Sequence, residues 1–252
     1  MSTDTSRRLL LATSGAVLVL GTVAGCADAS DDAKPDKHDF ALSGSQLTID
    51  AGDSKVVVKP ADVKDVKVTR WFDAWAVGGS THTTWSMEDG HTLRLRVTCR
   101  GLVTNCSARH EVLVPRGVAV TVANSDGKVE ASGFDTALKV STKDGSVAIR
   151  DVSGPLDLST GDGKVEATGV TSRRVTARSS DGAVRLRFTT VPDRVLATTS
   201  DGKVTVELPD ERYRVSATTG DGKVTVAVPR DSSSAHQVTV RTNDGSVTVR
   251  GL

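Results

Sequence analysis

The motif Ser125-Asp126-Gly127-Lys128-Val129 returns six more times before the C-terminus, and this repetition constrains the fold more than any other feature of the chain. The copies are Asp144-Gly145-Ser146-Val147, Asp162-Gly163-Lys164-Val165, Asp181-Gly182-Ala183-Val184, Asp201-Gly202-Lys203-Val204, Asp221-Gly222-Lys223-Val224 and Asp244-Gly245-Ser246-Val247. Successive Asp residues stand 18, 18, 19, 20, 20 and 23 positions apart, a period that belongs to stacked repeats. After each turn come two apolar alternations. In one unit these are Val204, Val206 and Leu208, then Tyr213, Val215, Ala217 and Thr219. Side chains two apart share a face of a strand, so each repeat of roughly 20 residues reads as two short strands with one buried face.

Two architectures fit such units. Asp-Gly between alternating runs is a hairpin signal, which would give an antiparallel meander. Seven units of two strands would then make an open sheet wide enough that it must curl or close. A solenoid accepts any number of repeats and explains the constant turn, because every rung needs the same corner. The expected fold is therefore an all-β, parallel β-helix-like solenoid. In this reading Gly127, Gly145, Gly163, Gly182, Gly202, Gly222 and Gly245 supply a positive φ, and the preceding Asp hydrogen-bonds nearby backbone. Thr142, Thr160, Thr199, Thr219 and Thr242, each two before the Asp, form a threonine ladder. The Asp column also raises calcium binding. Against it, Lys128, Lys164, Lys203 and Lys223 offer compensating charge, and the repeats lack the second Gly and extra Asp of a calcium-binding nonapeptide. Local turn chemistry is preferred, with no metal and no cofactor.

Residues 1–26 carry Arg7-Arg8, an apolar run from Leu9 through Leu20, and Val23-Ala24-Gly25-Cys26. This is the order of a secretory signal, with a run too short to span a bilayer. The last four residues resemble the bacterial lipobox, which implies lipidation of Cys26; a plain signal with an incidental cysteine is the alternative. Ser6-Arg7-Arg8-Leu9 resembles the start of a twin-arginine signal, so the export route stays open. Residues 27–39, rich in Asp and poor in apolar side chains, read as a flexible acidic tether.

From residue 40 to 116 the pattern is β but irregular, with Leu47-Thr48-Ile49, Val56-Val57-Val58, Val66-Lys67-Val68, Leu93 through Val97 and Val112-Leu113-Val114 as strands. Asp89-Gly90 suggests a further turn of the repeat kind. Cys99 and Cys106, in an exported chain, read as one disulfide; the competing reading is a metal site completed by His91 and His110. All three tryptophans fall here, and Trp71 and Trp75 share one strand face. With Trp85 they could form a glycan-binding platform, though capping the apolar end of the stack is the preferred role. Residues 117–252 hold the repeats. The final strand, Val247 through Leu252, is expected to be a bare rung. Either Arg241 and Arg250 blunt it, or it adds to a second copy or an envelope protein end to end.

Removing Asp4, Arg7 and Arg8 with the leader leaves 30 basic and 30 acidic residues, which argues against a nucleic-acid partner. No nucleophile elbow, His-Glu-x-x-His or phosphate loop occurs, and the five histidines are scattered. No catalytic residues are assigned. A carbohydrate-processing enzyme on a β-helix scaffold is the alternative class, because stacked repeats place Asp, Lys and Arg in rows.

With its lipobox, tether, Trp-containing strands, a cysteine pair before Glu111-Val112-Leu113-Val114-Pro115-Arg116-Gly117 and serial Gly-Lys/Ser-Val repeats, the chain resembles the bacterial putative-adhesin family of β-strand-repeat proteins, in particular actinobacterial lipoproteins. The likeness covers residues 41–252. It implies a right-handed β-helix-like fold and a cell-surface location, lipid-anchored on the outer face of the plasma membrane, with a cell-envelope glycan or protein as partner. It implies binding or envelope-stress sensing and no established activity.

Overall fold

The computed structural model describes residues 34–252, so the signal sequence, Cys26 and residues 27–33 lie outside the described residues. The N-terminal part comprises β1 (Asp36–Phe40), β2 (Gln46–Ala51), β3 (Lys55–Ala61), β4 (Val66–Val77), β5 (Ser80–Glu88), β6 (Thr92–Arg100) and β7 (Val103–Pro115). The repeats then supply β8 (Ala119–Asn124), β9 (Val129–Ser132), β10 (Leu138–Thr142), β11 (Val147–Arg150), β12 (Leu156–Thr160), β13 (Val165–Val170) and β14 (Arg174–Ser179). They continue with β15 (Val184–Phe188), β16 (Arg194–Thr198), β17 (Val204–Leu208), β18 (Arg214–Thr218), β19 (Val224–Ala227), β20 (Gln237–Arg241) and β21 (Val247–Gly251). There is no helix among the described residues.

The strands form two sheets. One runs β1-β4-β7-β3-β9-β11-β13-β15-β17-β21-β19, the other β18-β20-β16-β14-β12-β10-β8-β2-β6-β5. Every pairing from β2 and β3 to the C-terminal end is parallel, as a solenoid requires and a meander forbids. Equivalent side chains therefore stack in columns: Val129, Val147, Val165, Val184 and Val204 in one sheet, and Leu138, Leu156 and Val175 in the other. These columns are buried between the sheets. Valine and alanine suit so thin a core, while Phe134, Phe188 and Tyr213, its largest fully buried side chains, fill it at or just outside the strand ends.

The repeated glycines do not have the positive φ that the turn motif suggested; among the described residues that conformation occurs at Gly44, Gly78, Gly90, Gly117, Gly133 and Gly169. Their constraint is spatial. A Cβ on Gly145 would lie 2.1 Å from the carbonyl oxygen of Gly127, and one on Gly163 the same distance from that of Gly145. Corners stacked at the strand spacing have no room for a side chain pointing along the stack. Nor do the Asp carboxylates bond the corner backbone. The Asp main-chain N–H does so, as from Asp162 to the carbonyl of Lys143 (3.3 Å). The hydroxyl ladder is present and longer than the threonines alone, since Ser179 joins it. Thr160 Oγ1 donates to the Gly145 carbonyl (2.9 Å) and accepts from the Gly163 N–H (3.2 Å), and Ser179 repeats the pattern one rung on.

Three further readings need correction. Asp36–Phe40, the end of the expected tether and the residue after it, is a strand paired antiparallel with β4. Asp89-Gly90, with φ of 51° and 69°, is a true antiparallel hairpin turn between β5 and β6 rather than a solenoid corner. The C-terminal strand is not a bare rung. β21 lies between β17 and β19, and β20 between β16 and β18, so the last turn of chain is inserted inside the preceding one. The longest repeat spacing, 23 residues around Pro229–Ser234, gives the connection the length to double back. The open rung is β18/β19, where Val215 and Ala217 are only partly buried and Val224 is exposed.

Candidate interaction surface

β4 and β7 are the two longest strands, and their excess length builds the feature that breaks the repeat. They pair antiparallel from Lys67↔Leu113 to Val77↔Val103, while β5 and β6 pair from Ser80↔Arg100 to Glu88↔Thr92. The neighbouring rung is shorter: β3 first meets β7 at Lys55↔Arg109, and β2 last meets β6 at Ala51↔Leu95. Residues 96–108 therefore run past the 51–55 corner, together with their partners on β4 and β5. The result is a two-layered wing standing beyond the corner column.

Two turns close its tip. Gly79 lies against the main chain of Arg100, where a Cβ would come within 1.8 Å of the carbonyl oxygen, and the Leu102 N–H donates to the Val77 carbonyl (2.9 Å). Cys99 on β6 and Cys106 on β7 form a disulfide across the layers, with Cα atoms 6.5 Å apart, within the usual span. The cysteines thus are not free for a metal with His91 and His110. His91 bonds the Asp89 carbonyl at the opposite end of β6, and among the described residues no group of three His, Cys, Asp or Glu is placed to hold an ion.

The tryptophans separate. Trp85 points between the layers, with Arg70 over its ring at 4.0 Å and Phe40 and His38 beside it, and covers the end of the core. Trp71 and Trp75 share the outer face of β4. Trp71 is half-buried under Arg109 at 4.7 Å, and Trp75 is 50% exposed. The three do not form one platform. Trp75 instead keeps company with Val77 (55% exposed), Leu102 (88%) and Val103 (54%) at the tip.

Between the wing and the corners lies a notch of about 940 Å³, lined by Asn105 and Ser107 on one side and by Asp53, Lys55, Asp126, Lys128 and Asp144 on the other. Asp53-Ser54-Lys55-Val56 is an eighth corner, in register with Asp126-Gly127-Lys128-Val129 through Val56↔Val129. The stretch Asp-Ser-Lys-Val was the available signal, and the substitution of Ser for Gly hid it. Ser is tolerated because a strand, not another corner, lies outside it. Its hydroxyl meets His110 Nδ1 (3.0 Å) in the interior. Burial, and secondarily the charge of Arg70, pushes the His110 imidazole down to about 4. Two of the corner lysines turn to strand carboxylates rather than to the corner aspartates: Lys128 pairs with Glu130 and Lys164 with Glu166, both at 2.7 Å, while Asp144 pairs with the adjacent Lys143 (3.4 Å). The Lys164 hydrogen bond holds Glu166 below the usual carboxylate range. The aspartates 126, 144, 162, 181, 201, 221 and 244 form an exposed acidic row. The remaining histidines lie apart: His82 is exposed on β5, and His236 bonds the Pro192 carbonyl (3.0 Å).

The family model described as Toastrack DUF4097 matches residues 116–250. No curated protein matches the chain. Among solved structures, a putative cell adhesion protein from Clostridium sporogenes is similar at 12% identity, covering 87% of this chain and 99% of its own, with a TM-score of 0.40. A putative adhesin from Parabacteroides distasonis is similar at 11% identity, covering 86% and 98%, with a TM-score of 0.42. Another from Bacteroides fragilis is similar at 11% identity, covering 88% and 99%, with a TM-score of 0.38.

Proposed function

The chain belongs to the Toastrack DUF4097 family, whose model takes in more than half of it, and on that premise we propose that it is a non-catalytic lipoprotein, anchored through Cys26 on the outer face of the plasma membrane, whose solenoid binds or senses a component of the cell envelope. The observation that carries this reading is the Cys99–Cys106 disulfide, a bond that persists in oxidising compartments, in a chain whose first 26 residues read as an export signal with a lipobox. Binding rather than catalysis is supported by how the charged groups are used. Corner lysines and strand arginines pair locally with carboxylates, as Arg178 does with Asp157 at 3.4 Å and Arg250 with Glu207. His110, whose ring meets the Ser54 hydroxyl, is wholly buried. Rows that recur from rung to rung maintain the stack, whereas a catalytic site needs convergent groups around one reacting position.

Cell fractionation tests the anchor. Wild-type chain should sediment with membranes and carry a diacylglyceryl mass on Cys26, and the Cys26→Ser chain should leave that fraction. Absence of that mass from Cys26 of the membrane-bound wild-type chain would overturn lipidation. The alternative, a polysaccharide-processing enzyme, is tested by incubating purified protein with cell-wall glycans; new reducing ends or unsaturated products would overturn the non-catalytic reading.

A further inference from the structure

We propose that the disulfide-stapled tip of the wing, Trp75, Val77, Leu102 and Val103, is a membrane-contact site that rests its apolar side chains in the lipid interface beside the anchor. Four of the six exposed large hydrophobic residues among the described residues gather at this one tip. Scattered single exposures are ordinary, whereas a cluster at the end of a rigid projection marks a contact surface. The composition fits lipid. Residues 74–83 and 97–106, which make up the tip, contain no Asp or Glu and one cation, Arg100, which is exposed; the first carboxylate back along β4 is the exposed Asp73, on the face of Trp75 and on the side away from the tip end. Tryptophan beside aliphatic residues and an arginine is the side-chain set that favours a bilayer interface.

The path of the chain says why a bilayer is the occupant. β1 pairs antiparallel with β4, with Asp36 level with Arg70 and Phe40 level with Val66. β4 runs from Val66 towards the tip, so the chain before Asp36 leaves the sheet in the tip's direction. Cys26 precedes Asp36 by ten residues, a reach of roughly 33 Å. Val77 lies seven residues beyond Arg70, about 23 Å along the strand. A lipid held at Cys26 and the apolar tip can therefore lie in one plane. Residues 103–108 carry β7 past the corner register by about 20 Å of strand, so the tip lies at the far end of the wall that the acidic corner row faces across the notch. So small a patch binds weakly alone, but a tether raises its effective concentration at the bilayer to the millimolar range.

The proposal rests on the lipid-anchor reading, and the test separates the two. The mature chain, residues 26–252 with Cys26→Ser, which carries neither the apolar leader nor a lipid, is mixed with vesicles of equimolar phosphatidylglycerol and phosphatidylethanolamine, and binding is read by co-sedimentation and tryptophan emission. We expect partition at millimolar lipid with a blue shift, reduced at least tenfold by Leu102→Asp and by Trp75→Ser, whose exposed side chains can change without unfolding the stack. In the wild-type chain anchored to vesicles, brominated lipid should quench tryptophan emission, and Trp75→Ser should remove most of that quenching. The proposal is overturned if the Cys26→Ser chain stays in the supernatant, if both tip variants partition like their parent, or if the blue shift follows protein concentration without lipid, which would make a second copy the occupant. An unlipidated wild-type chain whose Cys26→Ser form still binds vesicles through the tip would sink the anchor and leave the tip contact standing.

Discussion

At the scale of single residues, the corner glycines are required by their neighbours along the stack and not by their own dihedrals. The atoms that a Cβ on Gly163 would meet, the carbonyl of Gly145 at 2.1 Å and the N–H of Ser146 at 2.9 Å, are all backbone and cannot rotate away. Gly163→Ala should therefore lower unfolding free energy by on the order of 3 kcal/mol in denaturant titrations. Gly52 has an ordinary φ, and a Cβ added there would meet nothing within 4 Å, so Gly52→Ala should change stability by less than about 1 kcal/mol, in the stabilising direction. Equal effects at the two sites would remove the close-approach argument. His110 predicts a pH dependence. Its folded pKa of about 4 lies below the unfolded value near 6.5, so between these values the unfolded chain takes up a proton that the folded chain refuses. The contribution is complete above about pH 6.5 and is lost as pH falls towards 4, a swing on the order of 3 kcal/mol. In His110→Gln the stability difference between pH 7 and pH 4.5 should shrink by about 2 kcal/mol, and an unchanged slope would show that another group carries it.

At the scale of elements, the alternation in each repeat is sufficient to specify two strands and their buried faces but says nothing about their order in the stack. Val204, Val224 and Val247 begin equivalent strands, and any two could be neighbours by pattern alone. The order β17-β21-β19 gives the C-terminal strand partners on both edges and leaves as the outer rung a pair whose ends continue into chain. A strand on the outermost edge is paired on one side only, whereas β21 is held on both. Truncation after Ser246 should therefore do more than trim an end. It removes the partner shared by β17 and β19, and amide exchange in Val204–Leu208 and Val224–Ala227 should accelerate together. Protection retained in β19 after truncation would contradict the insertion. The wing strands are less legible than the repeats. Outward positions 71, 75 and 77 of β4 are apolar where strands of the stack carry polar residues, so the alternation fades where the two layers leave the core.

At the scale of the whole molecule, the described residues form one stack of parallel rungs with an antiparallel outgrowth at its N-terminal end. The disulfide crosses that outgrowth rather than closing the stack; Phe40, Met87 and Trp85 perform the closure. Closing a loop of this length is worth about 2 kcal/mol to a stabilised wing, which has little core of its own. The sequence alone determined the all-β class, the two strands per repeat, the corner positions, the hydroxyl ladder and the cysteine pair, because each depends on neighbours within one repeat or on a column of identical residues. Only the tertiary structure decided the reason for the glycines, the eighth corner at Asp53-Ser54, the parting of Trp85 from Trp71 and Trp75, the inserted final turn and the apolar tip. These arise from contacts between rungs and from differences in strand length between neighbours, and a pattern read along one chain carries neither.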